Sequence, residues 1–123
     1  MAVILVVDDD FLILDMTSAL VEDAGHTVLS ANNSAAAIAI LRAQNPIDAL
    51  LTDVRLHDNL CGGYDLARAA IAIRPGLSIC YMSGTPMMDH VKAEIVDDAH
   101  FLQKPFGLAE LQRALDGMLA APA

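Results

Sequence analysis

Five short apolar runs alternate with amphipathic segments along the chain, and this pattern predicts its secondary structure. The apolar runs have the length of strands and cover residues 3–7, 27–31, the segment around residue 51, 77–82 and 100–103. The segments that follow them carry apolar residues at helical spacing. They predict helices over residues 12–24, 35–44, 64–73, 88–96 and 108–119, and the fourth of these has the weakest pattern. The predicted order is a strand followed by a helix, five times over.

Local signals mark where two of these helices begin and end. In the first helix the apolar spacing comes from Leu12, Met16, Ala19 and Leu20, and Gly25 is a typical residue for ending it. The run Asn32-Asn33-Ser34 precedes the second helix, and these residue types cap helix N-termini. Both signals support the helical interpretation of the segments between the strands.

The alternation of strands and helices predicts an α/β fold. Such alternation is typical of βαβ units with a parallel sheet, and right-handed crossovers place helices on both faces of that sheet. We therefore expect a single doubly wound (βα)5 domain over residues 1–123, with five parallel strands in the order 2-1-3-4-5. In that order strands 1 and 3 are neighbours at the switch point, where a crevice forms.

Composition narrows the class of protein further. The chain is 55% hydrophobic and carries a net charge of −9, and an acidic surface argues against direct binding to nucleic acid. No apolar run reaches the length of a membrane span, and the apolar start lacks the basic leader of a signal peptide, so we expect a cytoplasmic protein. The two cysteines do not form a disulfide framework, and we expect Cys80 to lie in the core.

Residues that could bind a metal ion or a phosphoryl group follow four of the five predicted strands. They are Asp8, Asp9 and Asp10 after the first strand, Asp53 after the third, Ser83 after the fourth and Lys104 after the fifth. The carboxyl ends of parallel strands share one edge of the sheet, so these side chains are expected to meet there. Asp10 is the exception, because a carboxylate at that position is better suited to capping the first helix.

The convergence of these residues points to phosphoryl transfer. Clustered carboxylates repel one another, and Mg2+ relieves that repulsion with oxygen ligands while leaving room for a phosphate oxygen. A carboxylate serves as a nucleophile toward phosphorus, and Lys104 and Ser83 would pair with the phosphoryl oxygens. Phosphoryl transfer requires mainly positioning and charge neutralisation.

At these motifs the chain resembles the receiver domain of bacterial two-component response regulators, over essentially its whole length. The resemblance rests on four motifs in order: Val6-Val7-Asp8-Asp9-Asp10, Leu51-Thr52-Asp53-Val54-Arg55-Leu56, Tyr81-Met82-Ser83-Gly84, and Phe101-Leu102-Gln103-Lys104-Pro105-Phe106. It implies the flavodoxin-like version of the doubly wound fold. It also implies a phosphorelay protein that catalyses only its own phosphorylation and dephosphorylation.

The resemblance assigns roles around the phosphoryl group and the metal. Asp53 would accept the phosphoryl group from a phosphohistidine of a sensor histidine kinase or phosphotransfer protein, and would also bind Mg2+. Asp9 would ligate Mg2+ directly, Asp8 mostly through water, and Arg55 through its backbone carbonyl.

The resemblance also assigns a switch. Ser83 would shift to bond the aspartyl phosphate, and Lys104 would pair with it. Phe101 takes the place of the aromatic switch residue, whose burial follows the movement of Ser83. The bond before Pro105 would be cis, a geometry that costs little free energy when the next residue is proline.

The sequence departs from the family in the loop after Asp53. His57 stands where the family usually has proline, and the usual glycine arrives late, at Gly62 or Gly63. Arg55 occupies a position that tunes the lifetime of the phosphate in this family, and we expect it to slow self-dephosphorylation. The late position of the glycine makes the loop after Asp53 longer than is typical.

Two alternative functions are open at this point. Asp8-x-Asp10 imitates the nucleophile motif of haloacid-dehalogenase-type phosphatases, although their final acidic pair should follow the lysine and Asp97-Asp98 precedes it. A pseudo-receiver would keep the fold as an interaction module without phosphorylation.

For a receiver, a downstream protein partner is expected to bind residues 88–119, where charged residues would also allow a homodimer. The sequence leaves open whether the chain acts alone or as part of a larger protein.

Overall fold

The computed structural model describes residues 2–43, 46–54, 56, 62–83 and 99–119. The strands are β1 (Val3–Val7), β2 (Thr27–Ala31), β3 (Ala49–Asp53), β4 (Ser78–Ser83) and β5 (His100–Gln103). The helices are α1 (Phe11–Asp23), α2 (Ser34–Arg42), α3 (Gly62–Ile73) and α4 (Leu108–Leu119). The helix predicted over residues 88–96 lies outside the described residues. Each of the other predicted elements is present, with ends that differ from the prediction by at most two residues.

The five strands form one parallel sheet in the order β2-β1-β3-β4-β5, as predicted. The register of its central strands sets the positions of their carboxyl ends. Val7 pairs with Thr52, and Asp53 pairs with Met82. Ser83 pairs with Gln103, so the residues that follow β1, β3, β4 and β5 come together at one edge.

Each face of the sheet has its own hydrophobic core, because successive strand residues point to opposite faces. Leu5, Leu50 and Tyr81 belong to the core on the side of α2 and α3. Ile4, Leu51 and Met82 belong to the core on the side of α1 and α4. Burial on both faces explains why the central strands read as continuous apolar runs. Cys80 is a free, buried residue of the second core, as predicted.

The buried face of α1 differs from the apolar stripe that the sequence suggests. Leu12 is 68% exposed and Met16 is 56% exposed. The buried residues of α1 are instead Leu14, Thr17 and Val21. A helix with apolar residues almost all round offers several stripes, and the sheet decides which one is covered. Leu12 and Met16 therefore form an apolar surface on the solvent side of α1.

The capping predictions for the first two helices are confirmed. The Asp10 carboxylate accepts hydrogen bonds from the N–H groups of Leu12 and Ile13, so it caps α1. Asn33 caps α2 by accepting from Ala36 N–H. Gly25 follows α1 with φ +95°, a conformation that favours glycine. Within the described residues, no helix combines the length and the apolar character needed to cross a bilayer.

Candidate functional site

Three carboxylates meet at the carboxyl edge of the sheet. Asp8 and Asp9 follow β1, and Asp53 is the last residue of β3. One carboxylate oxygen from each of the three lies within 4.8 Å of the other two. Asp8 is completely buried, whereas Asp9 and Asp53 are partly accessible. The solvent-accessible carboxylates of the cluster are therefore those of Asp9 and Asp53.

Lys104 brings a positive charge into this cluster from the end of β5. Its Nζ lies 2.9 Å from Oδ2 of Asp8 and 3.5 Å from Oδ2 of Asp53. The lysine side chain is 20% exposed and the Asp8 side chain 1% exposed, so the ion pair is shielded from bulk water. A charge-assisted hydrogen bond of this kind compensates the burial of Asp8. The ammonium is thus held between the buried carboxylate and Asp53.

Both oxygens of Asp8 already have hydrogen-bond donors. Oδ1 accepts from the backbone N–H of Asp10 at 3.0 Å, and Oδ2 accepts from Lys104. The side chain of Asp10 is turned away to cap α1. This geometry separates the three consecutive aspartates, because Asp8 anchors the lysine, Asp9 stays with the cluster, and Asp10 belongs to the helix.

The main chain at Asp53 is held by its neighbours on both sides. The Thr52 hydroxyl, which is fully buried, donates to the carbonyl oxygen of Asp53 at 3.0 Å. The N–H of Val54 donates to the carbonyl of Met82 at 3.0 Å, and the N–H of Gly63 donates to the carbonyl of Val54 at 3.0 Å. These bonds fix the backbone from which the Asp53 carboxylate projects.

Gly63 is the glycine on which the close approach of α3 to this backbone depends. A Cβ at residue 63 would lie 2.1 Å from the carbonyl oxygen of Asp53 and 2.8 Å from Cα of Val54. At Gly62 the nearest atom would be Cβ of Leu56, at 2.9 Å. The late glycine pair in the sequence therefore has two separate packing roles, and Gly63 is the one that touches Asp53.

Ser83 and Lys104 are joined through their backbones. The N–H of Lys104 donates to the carbonyl of Ser83 at 2.7 Å. Since Met82 is the register partner of Asp53, Ser83 lies one residue beyond the level of Asp53 along the neighbouring strand. The peptide bond between Lys104 and Pro105 is cis, as expected. Two residues predicted to contact a phosphoryl group thus lie side by side at the edge of the site.

Phe101 lies on β5, the edge strand next to β4. Its side chain is 39% exposed. Its ring packs against that of Tyr81, with centroids 5.3 Å apart, and Tyr81 packs in turn against Tyr64, with centroids 4.9 Å apart. The sequence motifs predict a role for Phe101 but none for either tyrosine or for Thr52. The signal available in the sequence was the position of Thr52, within an apolar run and directly before the strand-end aspartate.

Several predicted features fall outside the described residues. They are the carbonyl of Arg55, the loop from His57 to Cys61, and Gly84 with the segment that follows it. The metal-ligand role of Arg55 therefore stays a prediction.

Cys80 lies behind the site on β4, and its thiol takes no part in the cluster. Burial raises the pKa of this thiol to about 12. The protonated form is therefore the one present at neutral pH.

Comparisons with known proteins agree with this arrangement. The model of the response regulator receiver domain family matches residues 4–116. The response regulator receiver protein CpdR of Brucella abortus is 32% identical over 120 residues, which cover 97% of this chain and 97% of CpdR.

Solved structures show the same fold. A response regulator receiver protein from Sinorhizobium medicae is 32% identical with a TM-score of 0.87, covering 98% of this chain and 95% of that one. The receiver domain of a sensor histidine kinase from Pseudomonas aeruginosa PAO1 is 25% identical with a TM-score of 0.82, covering 98% of both chains. That receiver has a magnesium ion coordinated in its active-site cleft. The match over residues 4–116, the curated relative and the shared fold show that this chain belongs to the response regulator receiver domain family of two-component signal transduction.

Proposed function

We propose that the chain, over residues 1–123, is a phosphorelay switch whose phosphoryl acceptor is Asp53. The single observation that carries the proposal is the cluster in which Asp8, Asp9 and Asp53 meet within 4.8 Å while Lys104 lies between two of them. Asp53 combines partial access to solvent with a backbone fixed on both sides. A fixed, accessible carboxylate is what an in-line attack on phosphorus requires.

The proposed reaction exchanges one bond to phosphorus for another. A carboxylate oxygen of Asp53 attacks the phosphorus of a phosphohistidine, forming the O–P bond of an aspartyl phosphate. The N–P bond breaks, and the imidazole leaves with a proton taken from solvent. Hydrolysis by water later returns Asp53 and inorganic phosphate. The protein acts on its own side chain and is not an enzyme in the usual sense.

The donor set fits Mg2+. Carboxylate oxygens are hard ligands of the kind that Mg2+ takes, a few at a time, alongside waters and phosphate oxygens. Three carboxylates against one ammonium leave two negative charges unbalanced when all are ionised, which equals the charge of one Mg2+. When bound, Mg2+ would neutralise charge on the phosphoryl oxygens. Asp9 and Asp53 would bind it directly. Asp8 would do so mostly through water, because both of its oxygens already have donors.

Lys104 and Ser83 would respond to the new phosphoryl group. The ammonium is 3.5 Å from Oδ2 of Asp53, so a phosphoryl group on that carboxylate would offer it closer and more highly charged oxygens. Movement of Lys104 or Ser83 would reach Phe101 along β5 and β4, since the two are linked by a backbone hydrogen bond of 2.7 Å. We expect burial of Phe101 to carry the signal to a downstream protein that binds near β5 and α4. The same surface, near β5 and α4, would also allow a homodimer.

The phosphodonor would dock on α1. Phe11, Leu12 and Met16 are 66%, 68% and 56% exposed, and α1 starts directly after the carboxylate cluster. A protein that brings a phosphohistidine to Asp53 would cover this apolar patch. Met16→Glu should therefore slow transfer from a phosphorylated histidine kinase but not from a small phosphodonor, whereas Leu108→Glu on α4 should change neither. We infer that this exchange takes place in the cytoplasm.

The experiment is phosphoryl uptake from a small phosphodonor, measured by intact mass and by released phosphate. A receiver gains one phosphoryl group per chain, needs Mg2+, and loses the group on mild alkaline treatment. Asp53→Asn should gain none, whereas the control Asp116→Asn, an exposed residue of α4, should behave as wild type.

The same experiment separates the alternatives. Continuous release of phosphate over many turnovers would indicate a phosphatase of the haloacid dehalogenase type. No uptake and no turnover, with Mg2+ present and the fold intact, would indicate a pseudo-receiver. Either result would overturn the proposed function.

A further inference from the structure

Three aromatic side chains form a continuous row from α3 to the edge of the sheet. Tyr64, in the first turn of α3, packs edge-on against Tyr81 with an interplanar angle of 64°. Tyr81 packs against Phe101 at a tilt of 35°. Tyr64 is 5% exposed, Tyr81 is fully buried, and Phe101 is 39% exposed. The row thus runs from the buried start of α3, through the core, to the surface.

The inner end of the row is attached to the backbone of the phosphoryl acceptor. Tyr64 directly follows Gly63, whose N–H donates to the carbonyl of Val54. A Cβ at Gly63 would lie 2.1 Å from the carbonyl oxygen of Asp53, so there is no free space between the start of α3 and that backbone. A shift of the Asp53 main chain is therefore expected to move Tyr64 with it.

The middle of the row controls the space beneath Phe101. Tyr81 is the register partner of Phe101 on one side and of Thr52 on the other. Because interiors are close-packed, a fully buried ring at this position occupies the volume into which the ring of Phe101 would have to move. We therefore expect Phe101 to become more buried only when Tyr81 moves, and Tyr81 to move only together with Tyr64.

We propose that Tyr81 is a positioning residue that sets the exposure of Phe101 and, through Tyr64, links it to the backbone of Asp53. This inference rests on the proposed function in one respect: the link would transmit the effect of phosphorylating Asp53 to Phe101 by a route that does not pass through Ser83. Coupling of this kind needs an element with two arrangements, and Phe101 is that element. If Tyr81 were only a core residue, its truncation would lower stability and leave Phe101 where it is.

The test uses a single tryptophan introduced at residue 101. The natural sequence contains no tryptophan, so Phe101→Trp reports on that site alone through its emission maximum and its quenching by acrylamide. In the resting protein, adding Tyr81→Ala should shift the emission to the blue and lower the quenching constant, because the indole enters the vacated space. Tyr81→Phe keeps the ring and should leave both values unchanged. Tyr64→Leu should produce a smaller shift in the same direction as Tyr81→Ala.

Met82→Ala is the matched control, because Met82 is equally buried on the same strand but belongs to the opposite core. It should lower stability without moving the emission of the introduced indole. Should Tyr81→Ala fail to fold, Tyr81→Leu and Tyr64→Leu make the same test. The inference would be overturned if the folded truncation variants, Tyr81→Ala or Tyr81→Leu together with Tyr64→Leu, had quenching constants that match the Phe101→Trp parent.

A second arm adds Mg2+ and a small phosphodonor and follows uptake by mass in the same samples. Quenching of the introduced indole should change with uptake in the Phe101→Trp parent and in Tyr81→Phe, and should lose most of that change in Tyr81→Ala or Tyr81→Leu. Normal uptake with an unaltered response in these truncation variants would contradict the inference alone. Absence of uptake in every sample would contradict the proposed function, while the resting-state comparison would still decide the role of Tyr81.

Discussion

Replacing Gly63 with alanine would place a methyl group against the main chain of Asp53, the proposed phosphoryl acceptor. The new Cβ would lie 2.1 Å from the carbonyl oxygen of Asp53, whereas Cβ contacts under 3.0 Å are essentially never found. The separation must therefore grow by at least about 0.9 Å, the difference between these two distances. The neighbouring atoms are backbone and have no rotamer to escape into, so α3 or the end of β3 has to move.

The cost follows from this displacement. Overpacking of a close-packed site costs about 1–3 kcal/mol, and loss of the hydrogen bond from Gly63 to Val54 adds about 1 kcal/mol. The better helix propensity of alanine returns about 1 kcal/mol. We expect the free energy of unfolding to fall by about 1–3 kcal/mol. A displacement near 1 Å at a reacting group lowers rates by up to about 100-fold, so phosphoryl uptake should slow by roughly 10- to 100-fold.

Urea unfolding and the rate of uptake from a small phosphodonor measure the two effects. Gly76→Ala is the matched control, because a Cβ there meets nothing within 4 Å, and its stability should stay within about 0.5 kcal/mol of wild type. A Gly63→Ala protein as stable and as quickly phosphorylated as Gly76→Ala would refute the argument that α3 is seated on the backbone of Asp53.

Three further predictions concern the end of α2, the core thiol and the metal. Arg74 donates to carbonyls at the end of α2 through Nε at 2.9 Å and through its terminal nitrogen at 2.7 Å, so Arg74→Met should cost about 1–3 kcal/mol. Arg68→Met, which breaks a surface pair with Asp65, should cost under about 0.5 kcal/mol, and equal effects in urea unfolding would contradict this. Burial raises the pKa of Cys80 to about 12, so the folded state keeps a proton that the unfolded chain loses above about pH 9. The contribution of this thiol to the free energy of unfolding should therefore fall with rising pH, by up to about 1.4 kcal/mol per pH unit. The slope between about pH 9 and 10.5 should be shallower in Cys80→Ala, and identical slopes would disprove the contribution. Mg2+ should stabilise the wild type as expected for a ligand that binds only the folded state, and Asp9→Asn should lose most of that thermal shift; an undiminished shift would remove Asp9 from the metal site.

The sequence was most informative about the carboxyl edge of the sheet. Apolar runs that end in Asp8, Asp53, Ser83 and Lys104 required only a parallel sheet to bring these residues together, and right-handed crossovers limit the strand orders that such a sheet can adopt. Asp10 was also assigned correctly, because capping is a local interaction between a side chain and the next turn. These predictions depend on period and position along the chain.

Features that depend on which surfaces meet were not accessible from the sequence. The exposed position of Leu12 and Met16 is decided by how α1 rolls against the sheet, which a helix with several apolar stripes leaves open. The contact of Gly63 with Asp53 depends on the path of a loop, and the sequence offered Gly62 equally. The row through Tyr64 and Tyr81 joins residues far apart along the chain, and the apolar pattern marks each of them only as buried.

The central claim is that Asp53 carries the phosphoryl group, and mapping the modified residue tests it most directly. The protein would be treated with a small phosphodonor and Mg2+, its acyl phosphate reduced with borohydride to mark the acceptor permanently, and its peptides sequenced by mass spectrometry. We expect the mark to fall on Asp53, to be absent in Asp53→Asn, and to disappear when Mg2+ is chelated. A mark on Asp8 or Asp9 in the wild type, or labelling that persists undiminished in Asp53→Asn, would contradict it.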